Sequence, residues 1–363
     1  MLEQFIHHSS LLFYSAFFLS SLFFSLVINS LFLRFFRTLG IRNNADGTII
    51  RWGTLSKPAI GGLSFYIIFL LSLASYSIFF EPGQQSYQMG FVGIILACGA
   101  GFIIGLADDA YNTRPRLKFM VQLMCGLILS FTGIRIELFD QAIMNYALTM
   151  FWVVGIMNSI NMLDNMDGIT ATVSIGIVLN TVFRIIHHGD LSNIHLLVLV
   201  GVLASLIGFL YFNWHPSKMY MGDTGSQFLG VFLSAMGILY FWNDPYSPST
   251  DPSTAKRLSS TLMTFLLPIL DTTIVVINRL LAGRSPFIGG KDHTTHSLAM
   301  LGLTDRQVAF TFLILALISI GLNLMIESMA PAWTHGHTFI FGGYFLALLT
   351  FFFFTTRTKK SKA

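Results

Sequence analysis

Residues 142–168 read Ala142-Ile-Met-Asn-Tyr-Ala-Leu-Thr-Met-Phe-Trp-Val-Val-Gly-Ile-Met-Asn158-Ser-Ile-Asn161-Met-Leu-Asp164-Asn-Met-Asp167-Gly168. The stretch 142–160 is apolar and long enough to cross a bilayer, for which about 20 residues suffice. From Asn158 onward a polar residue returns at every third position among Met, Leu and Ile. On an α-helix a step of three turns the position by about −60°, so Asn158 and Asn161 are neighbours while Asp167 drifts to the far face. The chain is therefore expected to leave the helix near Asp164, with Gly168 supplying the permissive turn. A solvated turn needs no such spacing. Amides and carboxylates among apolar neighbours are costly unless they meet a polar ligand or a metal.

The rest of the chain extends this pattern. Of 363 residues, 54% are apolar and 10% charged, with 36 Phe and a mean hydropathy of +0.69. A soluble domain carries about 25% charge. The composition excludes a disordered chain and a disulfide scaffold, and leaves an all-α polytopic membrane protein. Further apolar runs fall at about 10–36, 59–80, 89–107, 119–134, 169–186, 194–212, 226–242, 258–280, 307–327 and 337–356. With 142–160 they predict about 11 transmembrane helices, ten if the short fourth run does not cross, in a single domain over 1–363. Cys98 and Cys125 lie in apolar runs and read as small buried hydrophobes. The N-terminus has no basic n-region, and its apolar run is too long for a signal peptide.

The net charge of +4 does not point to nucleic acid. With the N-terminus outside, 17 of the 21 Lys and Arg fall in cytoplasmic loops, which supports an N-out, C-in orientation. The same map puts the acidic and histidine motifs on the cytoplasmic side, so an active site is expected on the cytoplasmic loops.

Three further motifs carry chemistry. Asp108-Asp109 closes the third run and is followed by Arg114, Arg116, Lys118 and Gln122. Adjacent carboxylates repel unless a cation sits beside them, and Mg²⁺ favours one or two carboxylates with substrate phosphates. Lys118 offers a point charge for a phosphate. Met221-Gly222-Asp223-Thr224-Gly225-Ser226 opens the eighth run, and reads as a helix N-terminus with free N–H donors for phosphate and Asp223 to hold a cation. Arg284-Ser-Pro-Phe-Ile-Gly-Gly-Lys291-Asp292-His293-Thr294-Thr295-His296 lies in a loop. Its histidines lack the further ligands of a zinc site, and its donors suit an anion such as a phosphate. Asp271 stands alone as a charge inside a span, either as a partner to the inner site or as the proton relay of a transporter.

Together these segments, in this order, resemble the polyprenyl-phosphate N-acetylhexosamine-1-phosphate transferase superfamily over nearly the whole chain, from Pro58-Ala-Ile-Gly61-Gly62 to the histidine loop. The resemblance implies that Asp108 and Asp109 bind substrate or metal, with Asp108 a candidate base. It places Lys118 near the lipid phosphate, with Gln122 following. It ties Asn158, Asn161, Asp164 and Asp167 to the nucleotide and catalytic centre; Gly222 and Arg284 are substrate-binding candidates from their own motifs, as contacts for phosphate and for an anion. Asp223 is implied to be a Mg²⁺ ligand, with Mn²⁺ as the alternative ion, and His293 and His296 to contact the nucleotide sugar. Thr295 stands where the family has a middle His, and Asn165 where a Gly is common. The first cytoplasmic loop lacks the frequent Arg-x-x-His. The histidine pair is closer to the N-acetylglucosamine branch than to the three-histidine peptidoglycan branch.

The expected function is transfer of N-acetylglucosamine-1-phosphate from a UDP-sugar to undecaprenyl phosphate in the bacterial cytoplasmic membrane, with release of UMP. Many members of this superfamily are homodimers, which makes a homodimer part of the expectation. The alternatives are a UDP-N-acetylmuramoyl-pentapeptide transferase and, from another class, a proton-coupled transporter.

Overall fold

The computed structural model describes residues 2–35, 57–79, 89–247, 254–285, 290, 292–329 and 332–357. Its α-helices are α1 (Leu2–Phe35), α2 (Gly62–Phe79), α3 (Met89–Tyr111), α4 (Pro115–Phe131), α5 (Ala142–Leu163), α6 (Ile169–His187) and α7 (Ile194–Asn213). They continue with α8 (Gly222–Gly237), α9 (Thr254–Thr264), α10 (Leu266–Leu281), α11 (Thr294–Met300), α12 (Asp305–Met329) and α13 (His335–Arg357). A short π-helix, Ile238–Trp242, prolongs α8. Among the described residues the sole β-feature is an isolated bridge between Ala59 and Tyr220.

Every apolar run of the sequence becomes helix, but not every one becomes a full span. Among the described residues eight helices are long and apolar enough to cross a membrane: α1, α3, α5, α6, α7, α8 with its π-turn, α12 and α13. The run at 119–134 forms α4, only 17 residues long, and α2 is also short for an apolar span. The run at 258–280 is not one straight helix: α9 and α10 meet at an 81° bend. Pro268 has no N–H to return to Thr264, which favours the break. Polar groups of α12 bond to the chain at the bend. Ser319 Oγ donates to the Met263 carbonyl, and Asn323 Nδ2 donates to Thr264 Oγ1 at 3.0 Å.

The axis of the fold is α8, buried from Thr224 to Gly237. A helix enclosed on all sides has no polar stripe to give to water, and α8 packs against α2, α3, α5 and α6. Close approach to α3 is possible because Gly105 has no side chain: a Cβ there would lie 2.3 Å from the Asp223 carbonyl oxygen. Aromatic contacts among Tyr66, Phe69, Phe102 and Phe228 seal α2, α3 and α8 together. Cys98 and Cys125 are free and buried in this core.

A cluster of buried charges is neutralised at the opposite end of the bundle. Arg184 of α6 pairs with Asp244 at 2.6 Å and with Glu327 of α12 at 2.7 Å, while Lys256 of α9 reaches Asp244 at 3.0 Å. Burial opposes ionisation of Asp244, but Arg184 and Lys256 outweigh it and hold its carboxyl below the usual range.

Candidate active site

Four helix ends meet where the sequence places its acids. The C-terminal end of α3 brings Asp108 and Asp109, and the start of α4 brings Lys118. The end of α5 brings Asn158, Asn161 and Asp164, and the start of α8 brings Asp223. Lys118 Nζ lies 3.4 Å from Asp108 Oδ2 and 3.2 Å from Asp223 Oδ2, so the two carboxylates face each other across one ammonium. Asn161 completes the group. Its Oδ1 accepts from Lys118 at 3.5 Å, and its Nδ2 donates to Asp223 Oδ1 and, at 2.8 Å, to Ser226 Oγ. Asp223 is the most open of the three charges, 28% exposed against 17% for Lys118 and 13% for Asp108.

Asp108 is also fixed from its own loop, accepting from Thr113 N at 2.8 Å and Thr113 Oγ1 at 2.5 Å. Asp109, its neighbour in sequence, does something else. It accepts from Asp223 N at 2.9 Å, from Thr224 N at 2.8 Å and from Thr224 Oγ1 at 2.7 Å. This carboxylate caps α8 and complements the positive end of its dipole. The expectation that these N–H groups are free for substrate phosphate is thereby corrected, because Asp109 already occupies them. Gly222 makes the approach possible, with φ +72 and a position where a Cβ would come within 2.6 Å of Asp109 Oδ2.

Asp164 follows the last turn of α5. Burial, followed by the charges of Asp223 and Asp109, pushes its carboxyl up to about 7. Asp167 faces away from Lys118 toward another loop. It accepts from Ser217 N at 2.9 Å and Ser217 Oγ at 2.8 Å, bonds His215 Nδ1 at 3.1 Å, and has Lys57 Nζ at 3.7 Å. Asp167 thus ties the α5–α6 turn to the loop before α8, which the segment 57–62 also grips through Tyr220 N donating to the Pro58 carbonyl at 2.9 Å. Asn158 exchanges amide hydrogen bonds with Gln122, at 2.9 and 3.3 Å, and Gln122 Nε2 also donates to Gln227 at 3.0 Å. Gln227 was absent from the sequence reading. Its signal was available, one helical turn after Asp223.

The histidine loop is brought in by α10. Asp271, fully buried, accepts from His293 Nδ1 at 2.9 Å, Thr294 N at 2.8 Å and Thr294 Oγ1 at 2.6 Å. This resolves the lone intramembrane charge as a partner of the loop. Arg279 adds a forked pair to Asp292 at 2.8 and 2.7 Å. Burial opposes ionisation of Asp292, but this guanidinium holds its carboxyl below the usual range. The His296 ring is buried edge-on to His293, 5.6 Å between centroids. The two positions at which the sequence departs from the family pattern touch each other, Thr295 Oγ1 donating to Asn165 Oδ1 at 2.6 Å. Arg284 is exposed on the turn closing α10. Lys291, Arg37, Arg42, Arg51 and the tail lysines lie outside the described residues.

Among the described residues no three His, Cys, Asp or Glu side chains form a ready metal cage. Asp108 and Asp223 converge on the Lys118 ammonium, and two such hard oxygen ligands would suit an ion that draws its remaining ligands from phosphates and water.

The family model for glycosyl transferase family 4 matches residues 91–241, which includes Asp108, Asn161 and Asp223. A Bacillus subtilis (strain 168) protein named as a probable undecaprenyl-phosphate N-acetylglucosaminyl 1-phosphate transferase is 30% identical over 285 residues, covering 76% of this chain and 75% of that one. The chain belongs to this transferase family. A second member, a decaprenyl-phosphate N-acetylglucosaminephosphotransferase of Mycolicibacterium smegmatis, is 30% identical over 73% of this chain and 70% of its own. A phospho-N-acetylmuramoyl-pentapeptide-transferase of Streptococcus agalactiae is 32% identical, over 50% of this chain and 59% of its own. The stretch that the family model matches contains the ends of α3 and α5 and the starts of α4 and α8.

Proposed function

We propose that the protein transfers N-acetylglucosamine-1-phosphate from UDP-N-acetylglucosamine to undecaprenyl phosphate and releases UMP. The observation that carries this reading is the facing pair Asp108 and Asp223, with Asn161, around the Lys118 ammonium. Arranged this way, the group receives phosphates and a cation together. The N-acetylglucosamine relatives match about three quarters of the chain and the peptidoglycan-type relative half of it, which supports an N-acetylglucosamine donor over an N-acetylmuramoyl-pentapeptide one.

In the reaction an oxygen of the lipid phosphate attacks the sugar-bearing phosphorus. A new P–O bond forms as the bond from that phosphorus to the UMP oxygen breaks, and UMP departs with the electron pair. A phosphate monoester has its second pKa near 6, so the nucleophile arrives ionised and no side chain has to remove a proton. Asp108, already hydrogen-bonded by Thr113 and Lys118, acts here by position and charge. Lys118 attracts the lipid phosphate, and Asn161 fixes the plane of the Asp223 carboxylate. Mg²⁺ held by Asp108 and Asp223 would neutralise charge on the donor pyrophosphate. Most of the acceleration then comes from positioning and electrostatics.

The basic residues Arg34, Arg114, Arg116, Lys118, Lys218, Arg279, Arg284, Arg306 and Arg357 gather at the site end. At the other end Arg184 and Lys256 are neutralised by buried carboxylates. This asymmetry supports an N-out, C-in arrangement, with the site facing the cytoplasm across a bacterial inner membrane. Purified protein given undecaprenyl phosphate and a panel of UDP-sugars, with and without Mg²⁺, tests the proposal. Metal-dependent UMP release with UDP-N-acetylglucosamine is the expected result; a folded preparation that releases UMP from none of them refutes it.

A further inference from the structure

The first turn of α11 carries two successive threonines whose hydroxyls bond in different directions. Thr294 turns to α10 and donates twice to Asp271, from N at 2.8 Å and Oγ1 at 2.6 Å. Thr295 turns to the α5–α6 turn and donates to Asn165 Oδ1 at 2.6 Å. Both threonines are fully buried. The Asn165 amide is oriented from its other end, where Nδ2 donates to the Met162 carbonyl at 2.8 Å. With its nitrogen so engaged, the oxygen faces α11 as an acceptor. On either side of this bond stand groups with chemistry: Asp164 precedes Asn165, and His293 and His296 flank the threonine pair.

The bond therefore ties the turn bearing Asp164 directly to the helix bearing the histidines. The acidic centre does not depend on it. Asp108, Lys118, Asn161 and Asp223 are joined by contacts of their own, and Asp223 is seated by the Asp109 cap. We propose that Asn165 and Thr295 form a positioning pair for the donor. The pair sets the distance between the histidines and Asp164, and with it the fit of a nucleotide-linked N-acetylhexosamine, while leaving the lipid acceptor unaffected. This inference rests on the transfer reaction proposed above.

Thr295→Val keeps the shape of the side chain and removes its donor, and Asn165→Ala removes the acceptor. Each variant is expected to raise KM for UDP-N-acetylglucosamine about tenfold, the size of one lost buried hydrogen bond. KM for undecaprenyl phosphate stays within about twofold of wild type on the same reasoning. Thr295→Ser restores donor binding, and the double variant is no worse than either single one. Hydrogen–deuterium exchange of the unliganded protein supplies a readout free of turnover: both single variants speed exchange over residues 164–168 and 293–300. Unchanged exchange overturns the pair, as do additive single-variant effects or equal KM changes for both substrates. If the wild type does not turn over UDP-N-acetylglucosamine, the reaction reading falls, and the exchange data alone decide the pair.

Discussion

Asp109→Asn separates a structural acid from a chemical one at adjacent positions. The Asp109 carboxylate accepts from two backbone N–H groups and one hydroxyl at the start of α8, at 2.9, 2.8 and 2.7 Å. An asparagine keeps one oxygen and gains an NH₂ group. Whichever way the amide lies, one of the two N–H groups then faces another donor, a loss of about 1–3 kcal/mol. Removing an anion from a helix N-terminus costs a further ~0.3–2 kcal/mol. Relaxation is blocked on the glycine side, where Gly222 is so close that a Cβ would lie 2.6 Å from Asp109 Oδ2. The expected destabilisation is about 2–4 kcal/mol, a fall in melting midpoint of roughly 3–5 °C for a chain of 363 residues. Thermal unfolding of the detergent-purified variant beside wild type measures it. A midpoint within about 1 °C of wild type would refute the capping role, leaving Asp109 to act on substrate.

Three other outcomes follow from the same geometry. Asp223→Asn is expected to lower UMP release by about 10²-fold or more while moving the melting midpoint by no more than about 2 °C, since Asp223 holds a ligand rather than a helix; ordinary turnover in the purified variant would sink that assignment. The Asp164 carboxyl, pushed up to about 7, binds a proton in the metal-free folded protein that the unfolded chain has already lost. Stability in chelator therefore falls as pH rises from about 4 to 7, and a melting series should show that slope flattened in Asp164→Asn. Glu327→Gln breaks a buried pair with Arg184, 2.7 Å apart, at the end remote from the site. It is expected to cost about 3–5 kcal/mol of stability with kcat and both KM values unchanged, which melting and steady-state kinetics together would check.

The convergence of Asp108, Lys118, Asn161 and Asp223 was legible because each stands at the end of an apolar run. Chain direction and the bilayer then confine all four to one side. What the adjacent acids do was not legible. Neighbours on a helix point about 100° apart, so Asp108 can face Lys118 while Asp109 turns into the start of α8. The drift of Asp167 was foreseen from the helical period, but its partner Ser217 lies 50 positions away and no local pattern announces it. The bend between α9 and α10 hid inside a run of adequate length. Pro268 was in view, whereas the polar groups of α12 that bond to the chain at the bend come from 56 and 59 positions further on. The same distance problem concealed Arg184, Asp244 and Glu327, which look unremarkable singly.

The enclosure of α8 has a consequence for how such a molecule diversifies. Asp223 sits on an element locked to its neighbours from end to end, so a substitution that shifts it must also shift α3 and α5. The histidine helix is seven residues long, rests on α10, α12 and α13, and is tied by polar bonds to Asp271 on one side and Asn165 on the other. Heritable change is cheaper there than in the hub. Lineages selected from a mutagenised pool for a new donor sugar should accordingly carry their substitutions around residues 292–300 and their bonding partners, with the phosphate chemistry passed on intact.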